Sequence, residues 1–313
     1  MRKYALKRIL TAVTIMWAVA TLVFLAMRVV PSDPAIVVLG DHATEEALQA
    51  FREEMGLNRP LNSQYWEFIG GLAKGDLGRS LITNQPIADQ IWSLFPYTFN
   101  LAIASTLLGA LIGIPLGVWA AVRKNTAIDY ISRIVALAGF SFPAFYLGVL
   151  LLLVFSIQLG WFPVLHQIRE GTLWEHIYKL ILPALSLGLI QASYVTRLTR
   201  SSMLEALNED WVRTAFAKGL KPAAVHFKHV LKNIMIPVIT AIGLYMGTIL
   251  GGAILTETVF NRPGLGKLLL GAIAQRDYNL IQSGLVVFAF IVVVVNLLVD
   301  LTYALFDPRV KYE

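Results

Sequence analysis

Six stretches of this chain are apolar over lengths that a water-soluble domain rarely tolerates: Ile9 to Val30, Thr98 to Val122, Ile134 to Ile157, Leu180 to Thr196, Ile234 to Thr256 and Gly284 to Phe306. A helix rises about 1.5 Å per residue, so runs of this length cross, or nearly cross, a hydrocarbon layer roughly 30 Å thick. In lipid every backbone N–H and C=O must be satisfied within the protein, which leaves the α-helix as the form such runs take. The composition agrees, with 57% hydrophobic and only 15% charged residues and a mean hydropathy of +0.65. The expected fold class is an all-α integral membrane protein with six transmembrane helices.

The first run follows Arg2, Lys3, Lys7 and Arg8, an arrangement shared with secretory signal peptides. It is long enough to span, and no small-x-small cleavage site follows it, so residues 1–30 read as a cytoplasmic N-terminus and an uncleaved first span. Arg28, near its end, is placed to snorkel into the headgroups. From 31 to 97 the chain is polar and mostly acidic, which suits a compact extracytoplasmic subdomain. There Thr44, ahead of Glu45-Glu46, is expected to start a helix and Gly56 to stop it. Gly70-Gly71, Gly75 and Gly78 punctuate what reads as a loop-rich stretch. The adjacent acids Glu45-Glu46 and Glu53-Glu54 suit a solvated helix face better than an acid–base pair. Residues 98–306 form a five-span core and 307–313 a tail.

Six spans put both termini on one side, and positive charge retained during insertion says which. The N-terminus, 123–133, 197–233 and the tail hold 16 of the 26 Lys and Arg residues, so these segments are assigned to the cytoplasm. The same topology accounts for the net charge of +6 without nucleic acid, because the basic residues cluster beside apolar runs.

Several spans carry packing signatures. Gly109, Gly113 and Gly117 repeat every four residues in the second span, and Gly243, Gly247 and Gly251 do so in the fifth. That spacing stacks glycines on one helical face, where neighbouring backbones approach closely. Helix packing explains both ladders; alternatively, the fifth-span face lines a subunit interface or, with Gln191, a translocation path. The fourth span is short and contains Pro183, Ser186, Gly188, Gln191 and Ser193, polar content that suits the interior of a bundle. Pro115, Pro143 and Pro237 interrupt other spans, either to splay helices around a cavity or to improve packing.

Ionisable groups within the spans are scarce. Asp300 lies well inside one, toward its cytoplasmic end, and Glu257 reads as a solvated or interface residue at an external end. Such scarcity argues against a self-contained secondary transporter or channel, the main alternative function. An intramembrane enzyme built on Asp300 or Glu257 would lack a visible second group. No catalytic residue is assigned, since phosphate-loop, H-E-x-x-H and G-x-S-x-G patterns are all missing; Gly264-Leu265-Gly266-Lys267-Leu268 has neither the spacing nor the hydroxyl of a nucleotide-binding loop. There is no cysteine, and of the five histidines only His226 and His229 share a helical face, without a carboxylate nearby, so no metal site is assigned.

The segment 197–233 stands apart: long, basic, helix-prone and set between two spans. Leu204, Leu207, Trp211 and Ala215 recur at three- and four-residue spacing and predict one apolar face. Gly219 is a natural helix stop and Pro222 a natural first-turn residue for a helix running through Lys228 and Lys232 into the fifth span. At its centre stands Glu209-Asp210-Trp211-Val212-Arg213-Thr214-Ala215-Phe216-Ala217-Lys218-Gly219-Leu220. This string resembles the EAA loop of binding-protein-dependent ABC importer permeases, specifically the dipeptide/oligopeptide permease group, which shows E-D-Y-x-R-T-A-x-A-K-G-L. The likeness extends along the chain through Val30-Pro31-Ser32-Asp33-Pro34, Gly56-Leu57-Asn58-Arg59-Pro60-Leu61, Gly75-Asp76-Leu77-Gly78-Arg79-Ser80, Ile254 to Phe260, Pro263-Gly264-Leu265-Gly266, Arg276-Asp277-Tyr278, Asn296 to Asp300 and Asp307-Pro308-Arg309.

The resemblance implies a non-catalytic permease subunit of the bacterial inner membrane. Its partners would be a second homologous permease, two cytoplasmic ATPase subunits that hold ATP and Mg, and an extracytoplasmic solute-binding protein. This chain would itself bind no cofactor. Di- or oligopeptides, or a related small solute, would be carried. The residues expected to couple it to the ATPase are Glu205, Glu209, Asp210, Trp211, Arg213, Thr214, Ala215, Ala217, Lys218 and Gly219. Arg213 stands where the broader class has its glutamate, and Lys232 where it has a proline. Glu209 or Asp210 is therefore expected to supply the acidic contact, or Arg213 to reverse its polarity.

Overall fold

The computed structural model describes residues 2–29, 33–40, 42–164 and 172–306. The motif residues Val30, Pro31, Ser32 and Asp307-Pro308-Arg309, together with the tail 307–313 and His166, lie outside the described residues. Helix follows helix: α1 (Arg2–Val29), α2 (Pro34–Leu39), α3 (Glu45–Glu54), α4 (Leu61–Lys74), α5 (Ile87–Val122), α6 (Ala127–Ser141), α7 (Ala144–Leu151), α8 (Leu173–Leu207), α9 (Asp210–Ala217), α10 (Leu231–Val259), α11 (Leu265–Gln275) and α12 (Tyr278–Phe306). Wider π-helical turns continue α7 over Leu152–Gln158 and lead into α10 over Ala224–Val230. Among the described residues, five helices are long and apolar enough to cross a membrane. The pair α6–α7, bent by 104°, makes a sixth if it counts as one span.

The chain forms two compact units. One gathers residues 2–97 and 263–294. Here Asp33 caps α2, accepting from the Ala35 N–H at 2.9 Å, with Pro34 in the first turn. The second oxygen of Asp33 accepts from Arg52 Nε at 2.8 Å, and Arg52 also reaches Glu45 at 2.9 Å. Those two hydrogen bonds, the one to Asp33 foremost, raise the Arg52 pKa above its ordinary value. Thr44 caps α3 through the Ala47 N–H, and Gly56 follows the helix in the left-handed region (φ 66°), as the sequence predicts.

One expectation fails in this unit, and the contacts of Arg28 come into view. Gly70-Gly71 lie within α4, which ends only at the left-handed Gly75, because apolar neighbours and continuous i to i+4 bonding outweigh the propensity cost of two glycines. Arg28 is held by protein: its Nε and Nη2 donate to Gln64 Oε1 at 3.1 and 2.7 Å, and its guanidinium lies 4.8 Å from the Phe24 ring centre. Phe24 in turn packs on Tyr65 and Phe68 of α4. Asp277, nearly fully buried, accepts from Ser80 Oγ at 2.5 Å and the Leu81 N–H at 3.1 Å, and caps α12 through the Leu280 N–H.

The other unit, residues 98–262 and 295–306 among those described, is built around α8. This helix has 35 residues, not the short span expected from hydropathy. Hydropathy registers transfer into lipid, whereas helix formation asks only for backbone bonding, so the polar ends 173–179 and 197–207 extend the helix unseen. Thr172 caps it through the Glu175 N–H, and Ser186 donates to the carbonyl of Pro183 inside it. Ser186, Gln191, Ser193, Thr196 and Thr199 are all buried along its length, the interior placement their polarity predicts.

The α5 glycine ladder packs on this helix. A Cβ built at Gly109, Gly113 or Gly117 would come within 2.6–2.7 Å of Gln191, Val195 and Thr199, which repeat every four residues on α8. On a neighbouring face Tyr194 stacks on Tyr245 of α10, ring centres 5.2 Å apart. Pro115, Pro183 and Pro237 leave their helices continuous, while Pro143 sits at the sharp bend between α6 and α7. Glu257 is not solvated: α10 continues to Val259, so the side chain faces inward with no exposure and accepts from Thr98 Oγ1 at 2.5 Å. Asp300 is accordingly not the sole carboxyl within a span.

Candidate functional site

The apolar content of α8 ends near Leu207, where the chain turns through Asn208 and the extended Glu209 (φ −71°, ψ 147°). Asp210 then opens α9, its carboxylate favourably placed at the positive end of the helix dipole. Two turns later α9 stops at Gly219, whose φ of 79° a side-chain-bearing residue would resist. The Gly219 N–H donates to the Phe216 carbonyl at 2.9 Å and the Leu220 N–H to the Ala215 carbonyl at 3.3 Å, the paired pattern of a Schellman cap. Pro222 begins the next helical stretch, which passes through the π-helical turn into α10 without a break. A short helix is thus tied to two spans by two-residue and four-residue links.

What seats α9 is Val212, with 1% of its surface exposed. It joins Met203 of α8, Val225 and Val230 of the π-helical turn, Ile234 of α10, and Val118 and Ala121 of α5 in one buried cluster, with Leu204, Leu207 and Ala215 packed at its edge. Three of the four residues predicted to share an apolar face therefore do so. Trp211 does not: it is 36% exposed, because the turn at Asn208–Glu209 restarts the helix in a new phase and gives Val212 the inward position.

The outward side carries the polar motif residues. Asp210, Arg213, Thr214 and Ala217 fall on one stripe at i, i+3, i+4 and i+7, all exposed. Arg213 Nη1 lies 3.4 Å from Asp210 Oδ1, but with side chains 77% and 96% exposed the pair is worth little to stability. Glu205, Glu209 and Lys218 are also exposed, as is Gly219. Around them stand the exposed apolar side chains of Trp211, Phe216, Leu220 and Phe227. Phe216 meets His226 edge-on at 6.2 Å, so this apolar surface continues from α9 onto the following turn. An uncovered aromatic surface ringed by charge is the composition of a protein-binding patch.

A second anchor lies beside the first. Asp129, in the first turn of α6, has no exposed surface and accepts from Arg200 Nε at 2.7 Å, Arg200 Nη2 at 2.9 Å and the Asn125 N–H at 3.0 Å; Arg133 Nε approaches to 3.4 Å. This bidentate pair fastens α6 to α8 about two turns before α8 ends at Leu207. Sequence analysis missed it. The single signal was an acid in an otherwise basic segment, and its partner lies 71 residues away. Val212 and Phe227 were missed for a simpler reason, since each becomes inward or outward only through the helix phase.

The proposed path residues do not join this site. Gly243 and Gly247 face Val299 and Asn296 of α12, where a Cβ would meet them at 2.7 and 2.8 Å, so both belong to a helix seam. Gln191 is buried between helices, its Nε2 donating to the Ile242 carbonyl at 3.4 Å. Of the three fifth-span ladder glycines, Gly251 alone has nothing within 4 Å of a built Cβ. Among the described residues no three His, Cys, Asp or Glu side chains gather as a metal site would require.

Comparison with known proteins accounts for this architecture. Residues 113–312 match the family described as binding-protein-dependent transport system inner membrane component, and residues 1–102 match its N-terminal counterpart. Over the full length of both chains, the protein is 40% identical to the dipeptide transport system permease protein DppB of Alkalihalophilus pseudofirmus. It is 41% identical to the glutathione transport system permease protein GsiC of Escherichia coli K12 and 39% identical to the di/tripeptide transport system permease protein DppB of Pseudomonas aeruginosa, again over the whole of each chain. Among solved structures, the fold resembles an inward-facing form of the MetNI methionine ABC transporter (TM-score 0.55, 17% identity, 68% of this chain and 94% of that one). It also resembles an amino acid ABC transporter crystallised with histidines (TM-score 0.52, 15% identity, 71% and 94%). The chain belongs to the binding-protein-dependent transport system inner membrane component family and is a multi-pass permease subunit of an ABC importer.

Proposed function

We propose that α9 is the surface through which ATP-hydrolysing partners drive this permease, and that the importer carries di- or oligopeptides or a related small solute such as glutathione. The observation that carries the proposal is the division of α9 into two faces. Val212 locks one face onto the ends of α5, α8 and α10, while Trp211, Phe216 and the stripe Asp210–Arg213–Thr214–Ala217 leave the other uncovered. Aromatic anchors within a charged rim are what a docking groove on another subunit recognises. The Schellman cap and buried core make the helix a rigid lever, so movement of the partner is passed to the spans.

In this proposal two cytoplasmic ATPase subunits hold ATP and Mg, a second homologous permease pairs with this one, and an extracytoplasmic solute-binding protein delivers the cargo. Closure of the ATPase pair draws the two α9 helices together and switches the cavity from inward- to outward-facing. The excess of Lys and Arg at the N-terminus, 123–133 and 197–233 supports a cytoplasmic position for these segments and both termini. Arg213, on the outward stripe where the broader class has glutamate, reverses the polarity of the contact.

Phe216→Asp tests the coupling role, because Phe216 is 42% exposed and its replacement leaves the buried cluster intact. In proteoliposomes holding the complete importer, ATP-dependent uptake should fall by about tenfold or more while membrane insertion is unchanged. Uptake at the wild-type rate, or gradient-driven flux through this chain alone, overturns the proposal. Identification of the solute that co-purifies with the partner binding protein tests the cargo.

A further inference from the structure

Of Pro115, Pro143, Pro183 and Pro237, Pro143 alone interrupts its helix. α6 ends at Ser141, Phe142 is extended (φ −97°, ψ 132°), and α7 starts at Ala144 after the 104° bend. Pro143 has no N–H to return to the Gly139 carbonyl, so the last carbonyls of α6 lose helical partners. The depth of this break is read from α8. A Cβ at Gly139 would run into Ser193, and one at Gly148 would lie 3.7 Å from the Ser186 Cβ. Phe142 and Pro143 therefore sit between the levels of Ser193 and Ser186, in the middle of the apolar run Leu180 to Thr196. Ser141, Phe142 and Pro143 are all exposed there. Irregular backbone at that depth is stable inside protein or along water but not against lipid, because its polar groups need partners.

The side chains at the break agree. Phe142 stacks on Tyr146 with ring centres 5.8 Å apart and planes 12° from parallel, and the two residues are 45% and 44% exposed. Among the described residues no protein group bonds the Tyr146 hydroxyl, and a phenol is costly to strand in hydrocarbon. The unbroken second span shows the contrast. At similar depth, where Gly109 meets Gln191, its exposed stripe is Ile103, Leu107 and Leu111, wholly aliphatic.

We infer that the break in the third span is a subsite on a water-filled solute path, where the carbonyls ending α6 and the stacked faces of Phe142 and Tyr146 receive N–H groups of the solute. Carbonyl oxygens and aromatic faces select hydrogen-bond donors and positive charge. No charged side chain stands between Ser141 and Leu151 to repel a cation. The amide N–H groups and α-ammonium of a small peptide fit this chemistry. The subsite rests on the proposed cargo class and not on the role of α9.

The chain has no cysteine, so a single introduced thiol reports on its own surroundings. Ser141→Cys, which is nearly isosteric, and Phe142→Cys are placed in the complete importer in nanodiscs. Leu111→Cys, at an aliphatic position 70% exposed, is the control. Modification of this subunit by a water-soluble thiosulfonate is followed by mass spectrometry. The reactive thiolate forms where water reaches, so Ser141→Cys and Phe142→Cys should react about tenfold or more faster than Leu111→Cys. Adding ATP and binding protein loaded with trialanine or glutathione should slow both severalfold. Reaction no faster than the control means that lipid or the second permease covers the break, and overturns the inference. Fast reaction that neither solute slows overturns it too. If a peptide nonetheless co-purifies with the binding protein, that second outcome leaves the cargo reading standing and removes the subsite alone.

Discussion

Two glycine ladders with the same four-residue spacing are put to different use. On α5, Gly109, Gly113 and Gly117 all press against α8, with no room for a methyl group at any rung. On α10 the first two rungs, Gly243 and Gly247, close on α12, and the third, Gly251, faces nothing within 4 Å. Spacing therefore tells which residues share a face, while the neighbouring helix decides what covers it. A fully covered ladder is a permanent seam. A partly covered one ends in an open rung.

The largest effect is expected where the seam is tightest. Gly113→Leu places its Cβ 2.7 Å from Val195 and 2.8 Å from the Ala192 carbonyl, and backbone cannot swing aside. Destabilisation of about 3 kcal/mol should follow, measurable as a lowered melting temperature or loss of monodisperse protein in detergent. Gly247→Ala is milder because the nearest atom is the side-chain Oδ1 of Asn296, which can turn away; about 1 kcal/mol is expected in the same assay. Gly251→Ala should cost this subunit nothing and gain up to about 1 kcal/mol of helix propensity. If Gly251→Ala weakens only the assembled importer, the open rung is an interface between subunits. If all three variants melt alike, the contrast between the ladders fails.

Local features were legible in the sequence wherever the chemistry is local. Thr44, Gly56, Gly219 and Pro222 mark helix boundaries because capping and backbone conformation are decided within a few residues. The α5 ladder was legible as a packing face for the same reason. Helix lengths were not: α5 begins at Ile87 and α8 at Leu173, both in polar sequence that a hydropathy profile treats as loop. The buried carboxyls were not either, since Glu257 finds Thr98 across 159 positions and Asp129 finds Arg200 across 71. At the coupling site the polar motif was visible from its residues, but the anchor Val212 and the outward Trp211 depended on a change of helical phase at Asn208–Glu209 that no periodicity foretells.

The Asp129–Arg200 pair also makes two helices depend on one another. A carboxylate costs several kcal/mol to desolvate without a full partner, and Arg133 on the same helix offers only a longer contact at 3.4 Å. Without Arg200 the start of α6 would keep a buried carboxylate with only that longer contact to a cation. With it, α6 and α8 are held together by two short hydrogen bonds. The clasp thus makes each helix a condition of the other's place, and loss of either residue should loosen both.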